Sequence, residues 1–206
     1  MMLNDFLAKL NLALNSKTMY VRGCFGAPLK SSTINRYKNL NDKRWNAMVA
    51  NADKGYFGFD CVCLVKSILW GWNADWNAVY GGAQYASNGV ADMTEDAMLK
   101  SCKDVSSDFS NIVAGEFLWM QGHCGIYVGD NKVIECTAAW DSKVLMSGLT
   151  SPYEGRQHKW LKHGKLPFVD YGEQPIVIAQ PTASKPELMS YEVDDDKRII
   201  TIKMKY

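Results

Sequence analysis

The sequence has no excess of charge of either sign and no long apolar run. Its 206 residues include 23 lysines and arginines against 22 aspartates and glutamates, a formal net charge of +1. Without a basic excess, no nucleic-acid partner is expected. No stretch approaches the ~20 consecutive apolar residues of a membrane-spanning helix, so no membrane partner is expected. The first residues lack the basic and apolar regions of a signal peptide, which predicts synthesis in the cytoplasm.

Histidine is scarce, with 3 residues, whereas cysteine occurs 6 times. In a chain made without a signal peptide the cysteines are expected to be free thiols, most of them buried as small apolar side chains. A chain of this length forms a core without a metal or disulfides, and no cofactor is predicted. A metal site built from thiols is disfavoured, because Cys61 and Cys63 would project about 200° apart on a helix. His123 and Cys124 would likewise point to opposite faces of a strand.

Apolar side chains recur at helical spacing in the first half of the chain and at strand spacing in the second. Residues 31–54 are polar and are expected to form an exposed helix or an inserted segment. This order predicts an α+β fold in which N-terminal helices pack on one face of an antiparallel β-sheet. The patterns predict helices over residues 3–14, 60–72 and 94–103, and strands over 116–120, 123–129, 132–137, 143–146 and 165–170.

The composition changes after Tyr171. Residues 173–206 hold three prolines, an acidic run and one stretch of alternating apolar residues near the end. A segment of this length is below the ~40 residues that usually fold alone. We therefore expect one domain over residues 1–172, followed by a linker and a tail with at most one strand. The chain is expected to be a monomer.

Asp60 and Cys61 stand where the pattern predicts a buried helix to begin. A carboxylate at this position accepts hydrogen bonds from the unpaired N–H groups of the first turn, which makes Asp60 the expected N-cap. Cys61 then occupies the first helical position, where the positive end of the helix dipole favours a thiolate. Cys61 is thus a candidate nucleophile, and the alternative is a thiol that only fills the core.

A thiolate nucleophile needs a base, and three histidines are available. His123 opens a run of strand residues in which Gly125 and Tyr127 share its face. Gly125 is expected to leave open space beside the imidazole. His158 and His163 lie among lysines, which predicts a solvated or rim position for both. His123 is therefore the candidate base.

Two segments of the chain resemble a known paired signature. Residues 59–65 read Phe-Asp-Cys-Val-Cys-Leu-Val, and residues 122–129 read Gly-His-Cys-Gly-Ile-Tyr-Val-Gly. They resemble the NlpC-type papain-like cell-wall cysteine peptidases, whose usual forms are F-D-C-S-G-L-V and G-H-V-G-I-Y-x-G. The resemblance extends from about Tyr20, where residues 20–23 are similar to the family's Y-x-x-G turn, to about Val169.

Other parts of the chain refine this resemblance. Residues 68–72 and 162–167 are similar to versions encoded by bacteriophages. The chain departs from the family pattern at Val62 and Cys63, where the family commonly has Ser-Gly, and in an insertion over residues 31–56. Neither departure removes a candidate catalytic group.

The resemblance implies a papain-like fold with Cys61 as nucleophile and His123 as general base. It also implies that the Tyr20 hydroxyl stabilises the oxyanion beside the backbone N–H of Cys61. The residue that orients the imidazole lies about a dozen positions after the histidine, which selects Glu135. A regular two-residue turn would place Glu135 on the opposite face from His123, whereas an odd-length loop or a bulge would place both on one face. Trp140, in the loop that follows, is expected to line a substrate groove.

The implied function is cleavage of the peptidoglycan stem peptide at the bond from D-γ-glutamate to the diamino acid. The implied protein is a phage or prophage endolysin that reaches the bacterial cell wall through a holin or after lysis. Two alternatives stay open: an N-acetylmuramoyl-L-alanine amidase on the same scaffold, and a non-catalytic module that binds glycan or peptide. The presence of both Cys61 and His123 in matching contexts favours an enzyme, because binding needs neither group.

Overall fold

The computed structural model describes residues 1–172 and, in the rest of the chain, the strands Glu187–Asp194 and Ile199–Lys205. The chain divides into two units, Met1–Gly172 and Glu173–Tyr206. The first unit is mixed α+β, with helices and antiparallel sheet. Among the described residues, no helix is both long enough and apolar enough to cross a membrane.

The first unit contains four α-helices, three short 3-10 helices and nine strands. The α-helices are α1 (Leu3–Asn15), α2 (Trp45–Asn51), α3 (Cys61–Leu69) and α4 (Glu95–Ser101). The 3-10 helices cover Ile34–Leu40, Asp42–Arg44 and Phe109–Asn111. The strands are β1 (Thr18–Tyr20), β2 (Phe25–Pro28), β3 (Phe57–Phe59), β4 (Lys103–Ser106), β5 (Phe117–Met120), β6 (His123–Gly129), β7 (Lys132–Cys136), β8 (Val144–Gly148) and β9 (Lys162–Lys165).

Six of these strands form one antiparallel sheet in the order β4-β9-β5-β6-β7-β8. Helices α1, α3 and α4 pack on one face of this sheet, and their apolar residues share the main core with it. The other face carries a smaller apolar cluster formed by Leu118, Val133, Leu149 and Trp160. The sheet therefore separates a thick helical layer from a thin layer of loops.

A second sheet shows that the expectation of a single antiparallel sheet is incomplete. Its order is β1-β3-β2, with β1 parallel and β2 antiparallel to β3. These strands have only three or four residues each, too few for an alternating pattern to appear. The central strand β3 is moreover buried at all three positions, so its sequence does not alternate.

One strand of the main sheet lies earlier in the chain than the sequence pattern predicts. The prediction is a strand over residues 165–170, whereas β9 is Lys162–Lys165. Pro167 has no backbone N–H to donate to a neighbouring strand, so the apolar residues around it form a turn instead. β9 pairs with both β4 and β5 and is therefore an interior strand. Its sequence is polar, so the apolar pattern does not predict it.

Residues 31–54, which are expected to form an exposed helix or an inserted segment and are called the insertion below, are built from two of the 3-10 helices and α2. Asn41 fastens this segment to the turn that follows β1. Its side-chain carbonyl accepts the backbone N–H of Arg22 at 2.8 Å. Its amide donates to the carbonyls of Arg22 and Tyr37 at 3.1 Å and 2.8 Å. Because Asn41 is buried and uses its carbonyl and amide in this way, the insertion is held in one position.

The tail contains one strand more than the sequence predicts. Glu187–Asp194 and Ile199–Lys205 pair as an antiparallel hairpin. The alternation near the end of the chain identifies only the second of these strands. A lone strand leaves its backbone N–H and C=O groups unpaired, which is the physical reason for a partner strand.

Truncation of Leu10 should destabilise the first unit. Leu10 lies on the buried face of α1 and is 0% exposed, whereas Leu12 on the same helix is 41% exposed. Leu10→Ala should lower the free energy of unfolding by about 2–5 kcal/mol, because it removes buried apolar contacts and leaves a cavity. Leu12→Ala is the matched control and should cost less than about 1 kcal/mol. Urea denaturation measures both, and equal losses would contradict the packing described.

Candidate active site

Asp60 fixes the start of α3, where Cys61 is the first residue. One carboxylate oxygen of Asp60 accepts the backbone N–H of Cys63 at 2.7 Å, and the other accepts that of Gly23 at 2.8 Å. The first bond caps the helix, and the second holds the turn that follows β1. Cys61 is only 8% exposed, and it lies at the positive end of the helix dipole.

The hairpin of β6 and β7 decides whether His123 and Glu135 can meet. Gly129 pairs with Lys132 around a two-residue turn, the connection that by itself would place the two side chains on opposite faces. A register shift just before Gly129 leaves Val128 as an extra residue, a β-bulge. The bulge shifts the pairing by one residue and brings His123 and Glu135 to the same face of the sheet.

Glu135 is fully buried, and both of its carboxylate oxygens are bound. Its Oε2 lies 2.5 Å from Nε2 of His123, and its Oε1 accepts a hydrogen bond from the Ser147 hydroxyl on β8. Burial alone would raise the pKa of this carboxyl, but hydrogen bonds from His123 and Ser147 and the close approach of His158 lower the pKa to about 2. Glu135 is therefore ionised at neutral pH. It holds the imidazole through Nε2 and leaves Nδ1 for Cys61.

Cys61 and His123 stabilise each other's charged forms. A hydrogen bond with Cys124, opposed by burial and aided by His123, lowers the pKa of Cys61 to about 6. Burial would lower the pKa of His123, but hydrogen bonds with Cys61 and Glu135 raise that pKa to about 9. Between these two values the pair is a thiolate and an imidazolium. This is the ionisation state that a nucleophilic cysteine requires.

The other five cysteines are also free thiols, but none of them is activated. Burial raises the pKa of each, to about 11 in Cys24, to about 12 in Cys102, and also in Cys63, Cys124 and Cys136. These thiols stay protonated near neutral pH and act as small core residues. Cys61 therefore differs from them in charge and not only in position.

Trp160 supports His123 from the side of Gly125. The indole of Trp160 stacks on the imidazole, with ring centroids 5.6 Å apart and an interplanar angle of 23°. A Cβ atom on Gly125 would lie 3.1 Å from the Trp160 ring and 3.3 Å from Cβ of Glu135. The prediction that Gly125 leaves open space is therefore wrong. The glycine allows a close approach of the indole, which fills that space.

His158 lies beside His123 and Glu135, although the sequence predicts only a solvated or rim position for it. Its Nε2 lies 3.2 Å from Oε2 of Glu135, the same oxygen that His123 contacts. Its ring centroid is 4.8 Å from that of His123 and 4.8 Å from that of Trp140. The neighbouring lysines suggested solvent, but His158 turns inward from an irregular segment with no alternation to reveal its direction. With only 3 histidines in the chain, each is a candidate for the site, and this scarcity is the sequence signal that points to His158.

His163 is also buried and not solvated. Its Nδ1 is bonded to the carboxylate of Glu116, and its Nε2 lies 2.8 Å from the carbonyl of Asp108. Neither His163 nor Glu116 lines the cleft that contains Cys61. This second histidine–carboxylate pair does not activate the Cys102 thiol near it, whose pKa is raised by burial and by the Glu116 charge. It serves as an internal comparison for the pair of His123 and Glu135.

A cleft of about 640 Å³ opens beside Cys61, with Tyr20 and residues 39–44 of the insertion among its lining. Burial and the nearby charges of Cys61 and Asp60 raise the pKa of Tyr20 well above its ordinary value. Its hydroxyl therefore stays protonated and can donate a hydrogen bond to an oxyanion. Tyr20 thus lines the cleft that contains Cys61, and the oxyanion role that the resemblance implies for it stays a prediction.

Trp140 does not line this cleft, in contrast to the expectation that it forms part of a substrate groove. The cleft is lined by Ala138 from the same loop. Trp140 is 43% exposed, and its backbone has a positive φ of 49°. The loop thereby turns the indole onto His158, so Trp140 covers the histidine cluster instead of the nucleophile.

Among the residues that the structure describes, one group could hold a metal ion. Its members are His123, Glu135 and His158, whose ligand atoms all lie within 4.8 Å of one another. An ion bound there would occupy Nε2 of His123, the atom through which Glu135 orients the imidazole. A metal would therefore oppose the chemistry of the Cys61 thiolate at this site.

No family model and no curated protein matches the chain. The chemical capacity of the site thus follows from its geometry. A thiolate lies at a helix N-terminus, an imidazolium and a buried carboxylate lie beside it, and a tyrosine hydroxyl lines the same cleft. Acyl transfer needs a nucleophile, a proton donor, an orienting acid and an oxyanion donor, and this arrangement has groups of the chemical type for each.

Alkylation by iodoacetamide should distinguish Cys61 from an ordinary thiol. Because the pKa of Cys61 is about 6, its alkylation rate should rise through about pH 6 and be nearly level by neutral pH. Glu135→Gln removes the charge that favours the imidazolium, so the midpoint of this rise should move to higher pH. Mass spectrometry of the modified peptide measures the rate.

Glu116→Gln, in the other buried pair, is the matched control. It should leave the midpoint for Cys61 unchanged, even where it lowers the stability of the fold. A midpoint that is the same in wild type and Glu135→Gln would contradict the role given to Glu135.

Proposed function

We propose that the chain is a peptidoglycan hydrolase, a papain-like cysteine peptidase of the NlpC type. The observation that carries this proposal is the contact of Cys61 at the start of α3 with His123 and, behind it, the buried Glu135. The paired sequence signature around Cys61 and His123 supports the same conclusion. A helix that carries the nucleophile and an antiparallel sheet that carries the base and the acid are consistent with a papain-like fold.

The reaction begins with the thiolate of Cys61. It attacks the carbonyl carbon of an amide bond, and the carbonyl oxygen becomes an oxyanion. The Tyr20 hydroxyl and the backbone N–H of Cys61, which has no carbonyl partner within the helix, are the donors placed to bind this oxyanion. Their contribution grows as charge develops on the oxygen, so they favour the transition state over the bound substrate.

The second half of the reaction depends on His123. Its imidazolium donates a proton to the departing amine, and the acyl group remains on Cys61 as a thioester. The imidazole, now neutral, takes a proton from water as the water attacks the thioester. Release of the acid restores the thiolate and the imidazolium. Glu135 holds the ring in one orientation throughout. It stabilises the positive charge of the imidazolium before the attack and again after release of the acid.

The proposed substrate is the stem peptide of bacterial peptidoglycan, cleaved between D-γ-glutamate and the diamino acid. The resemblance to cell-wall peptidases supports this choice, and the likeness to bacteriophage-encoded versions supports an endolysin that acts after release through a holin or lysis. No step of this reaction requires a cofactor. Cleavage between muramic acid and L-alanine is the outcome that would assign the chain to the amidases instead.

Removal of either catalytic side chain should abolish activity. Cys61→Ala and His123→Ala should each reduce the loss of turbidity of susceptible cell walls to below about 0.1% of the wild-type rate. Cys63→Ala is the matched control, because Cys63 is an equally buried thiol on the same helix whose pKa is raised. It should retain activity. Activity in Cys61→Ala would overturn the proposed function, and mass spectrometry of the released fragments identifies the bond that is cut.

The rate should depend on pH as a bell. Below about pH 6 the Cys61 thiol is protonated and cannot attack, so the rate falls as the pH is lowered through that value. Above about pH 9 His123 loses the proton that the leaving amine needs, so the rate falls again. Initial rates on purified cell walls across this range test the expectation. A rate that rises steadily through pH 9 would indicate an ordinary thiol and contradict the ion pair.

A further inference from the structure

The insertion forms one wall of the cleft that contains Cys61. Residues 39–44 line this cleft, although they lie in the segment that interrupts the family pattern. Asn41 fastens that wall to the turn after β1 through its two bonds to the backbone of Arg22, and a third bond, to the carbonyl of Tyr37, lies within the insertion. The same turn is held from its other side by Asp60, the cap of the helix that begins with Cys61. The wall is therefore built rigidly onto the catalytic elements.

This wall carries positive charge that is not neutralised by ion pairs. Arg22, Lys43 and Arg44 all line the cleft. Within residues 1–172, none of the three lies within 4 Å of a carboxylate oxygen, whereas other cations of the unit do form such pairs. Cations that line a cleft without partners are available to a ligand and are suited to an anion.

Arg44 is the best placed of these cations. Its guanidinium lies over the ring of Tyr20, 4.9 Å from the ring centroid, and its Nε lies 3.4 Å from the hydroxyl oxygen of Ser142. These contacts hold the planar group beside the proposed oxyanion donor and leave its terminal N–H groups for another acceptor. Lys43 is exposed and adds a second charge to the same wall.

Acidic residues also line the cleft, but they do not neutralise the positive charges of Arg44 and Lys43 by ion pairing. Both oxygens of Asp60 are engaged by backbone N–H groups. Glu95 comes from α4, a different element from the insertion. Asp42 is exposed and directly precedes Lys43 in the chain. The guanidinium over Tyr20 is therefore the charge best fixed beside the reacting centre.

We propose that Arg44 and Lys43 bind a free carboxylate on the acyl part of the substrate. The inference rests on the proposed function and names its substrate class: stem peptides whose γ-linked D-glutamate keeps its α-carboxylate, in preference to those in which it is a carboxamide. In such a residue three carbons separate the scissile carbonyl from the α-carboxylate, so the two are about 5 Å apart when extended. A cation that binds the carboxylate must therefore lie beside the oxyanion donor, where Arg44 lies.

The test uses two tripeptides that differ in a single group, L-Ala-γ-D-Glu-L-Lys with a free α-carboxylate and the same peptide with an α-carboxamide. The wild-type full-length chain should cleave the acid about tenfold more efficiently than the amide, mainly through a lower KM. Arg44→Gln and Lys43→Gln should each reduce the efficiency of cleavage of the acid more than that of the amide, so that the preference for the acid falls. Calorimetric binding to full-length Cys61→Ala should show the same preference without turnover.

Arg36→Gln is the matched control, because the Arg36 guanidinium packs on Tyr37 and Tyr80 and does not line the cleft. It should keep the wild-type preference. Equal cleavage and equal binding of the two peptides would overturn this inference and leave the proposed function standing. Equal loss on both peptides in Arg44→Gln and no change in Lys43→Gln would also overturn it, since Arg44 would then only support Tyr20. Cleavage of neither peptide and binding of neither would overturn the proposed function together with the inference.

Discussion

Asp60 uses both of its carboxylate oxygens to join the first turn of α3 to the turn that follows β1. The placement of Cys61 depends on this link, because the residue after an N-cap takes its position from the cap. The placement of Tyr20 depends on it as well, since the turn with Gly23 follows Tyr20 directly. Asn41 then attaches the insertion to the same turn. The Asp60 carboxylate thereby links the start of α3, the turn beside Tyr20 and, through that turn, the wall of the cleft.

The main sheet contributes what the helix cannot supply. A cysteine at a helix start is favoured as a thiolate, but burial opposes its charge, and a counter-charge is needed nearby. His123 provides that charge because Glu135, fully buried behind it, stays ionised. The protein contains a second buried pair, His163 and Glu116, and the Cys102 thiol near that pair has a raised pKa, to which burial and the Glu116 charge both contribute. A buried histidine–carboxylate pair near a thiol is therefore not sufficient to lower the pKa of that thiol, and the activation of Cys61 depends on where the pair of His123 and Glu135 is placed.

Much of this arrangement can be predicted from the sequence, because it depends on neighbours in the chain. The start of α3, its cap and the identity of Cys61 as the distinctive thiol follow from local spacing and from the resemblance. The short strands β1 to β3 do not, since each has too few residues to show a period. The inward turn of His158 does not either, because it depends on packing against Trp140 and Glu135, which are distant in sequence. Local pattern determines the elements, and long-range packing determines which side chains meet.

The position of His123 and Glu135 on the same face of the sheet depends on one residue, the bulge at Val128. The two-residue turn of the hairpin alone would place His123 and Glu135 on opposite faces of the sheet. The pairing of β7 with β8 holds Glu135 opposite Leu145 and so keeps it on its present face. The unpaired residue Val128 shifts the register of β6 by one position, so that His123 lies on the same face as Glu135. Deletion of that residue would leave the length of the strands almost unchanged. The hairpin would then have to form a different turn, or Glu135 would lie on the opposite face of the sheet from His123. In an alignment of related chains, a one-residue gap here would therefore carry more meaning than a long insertion in a surface loop.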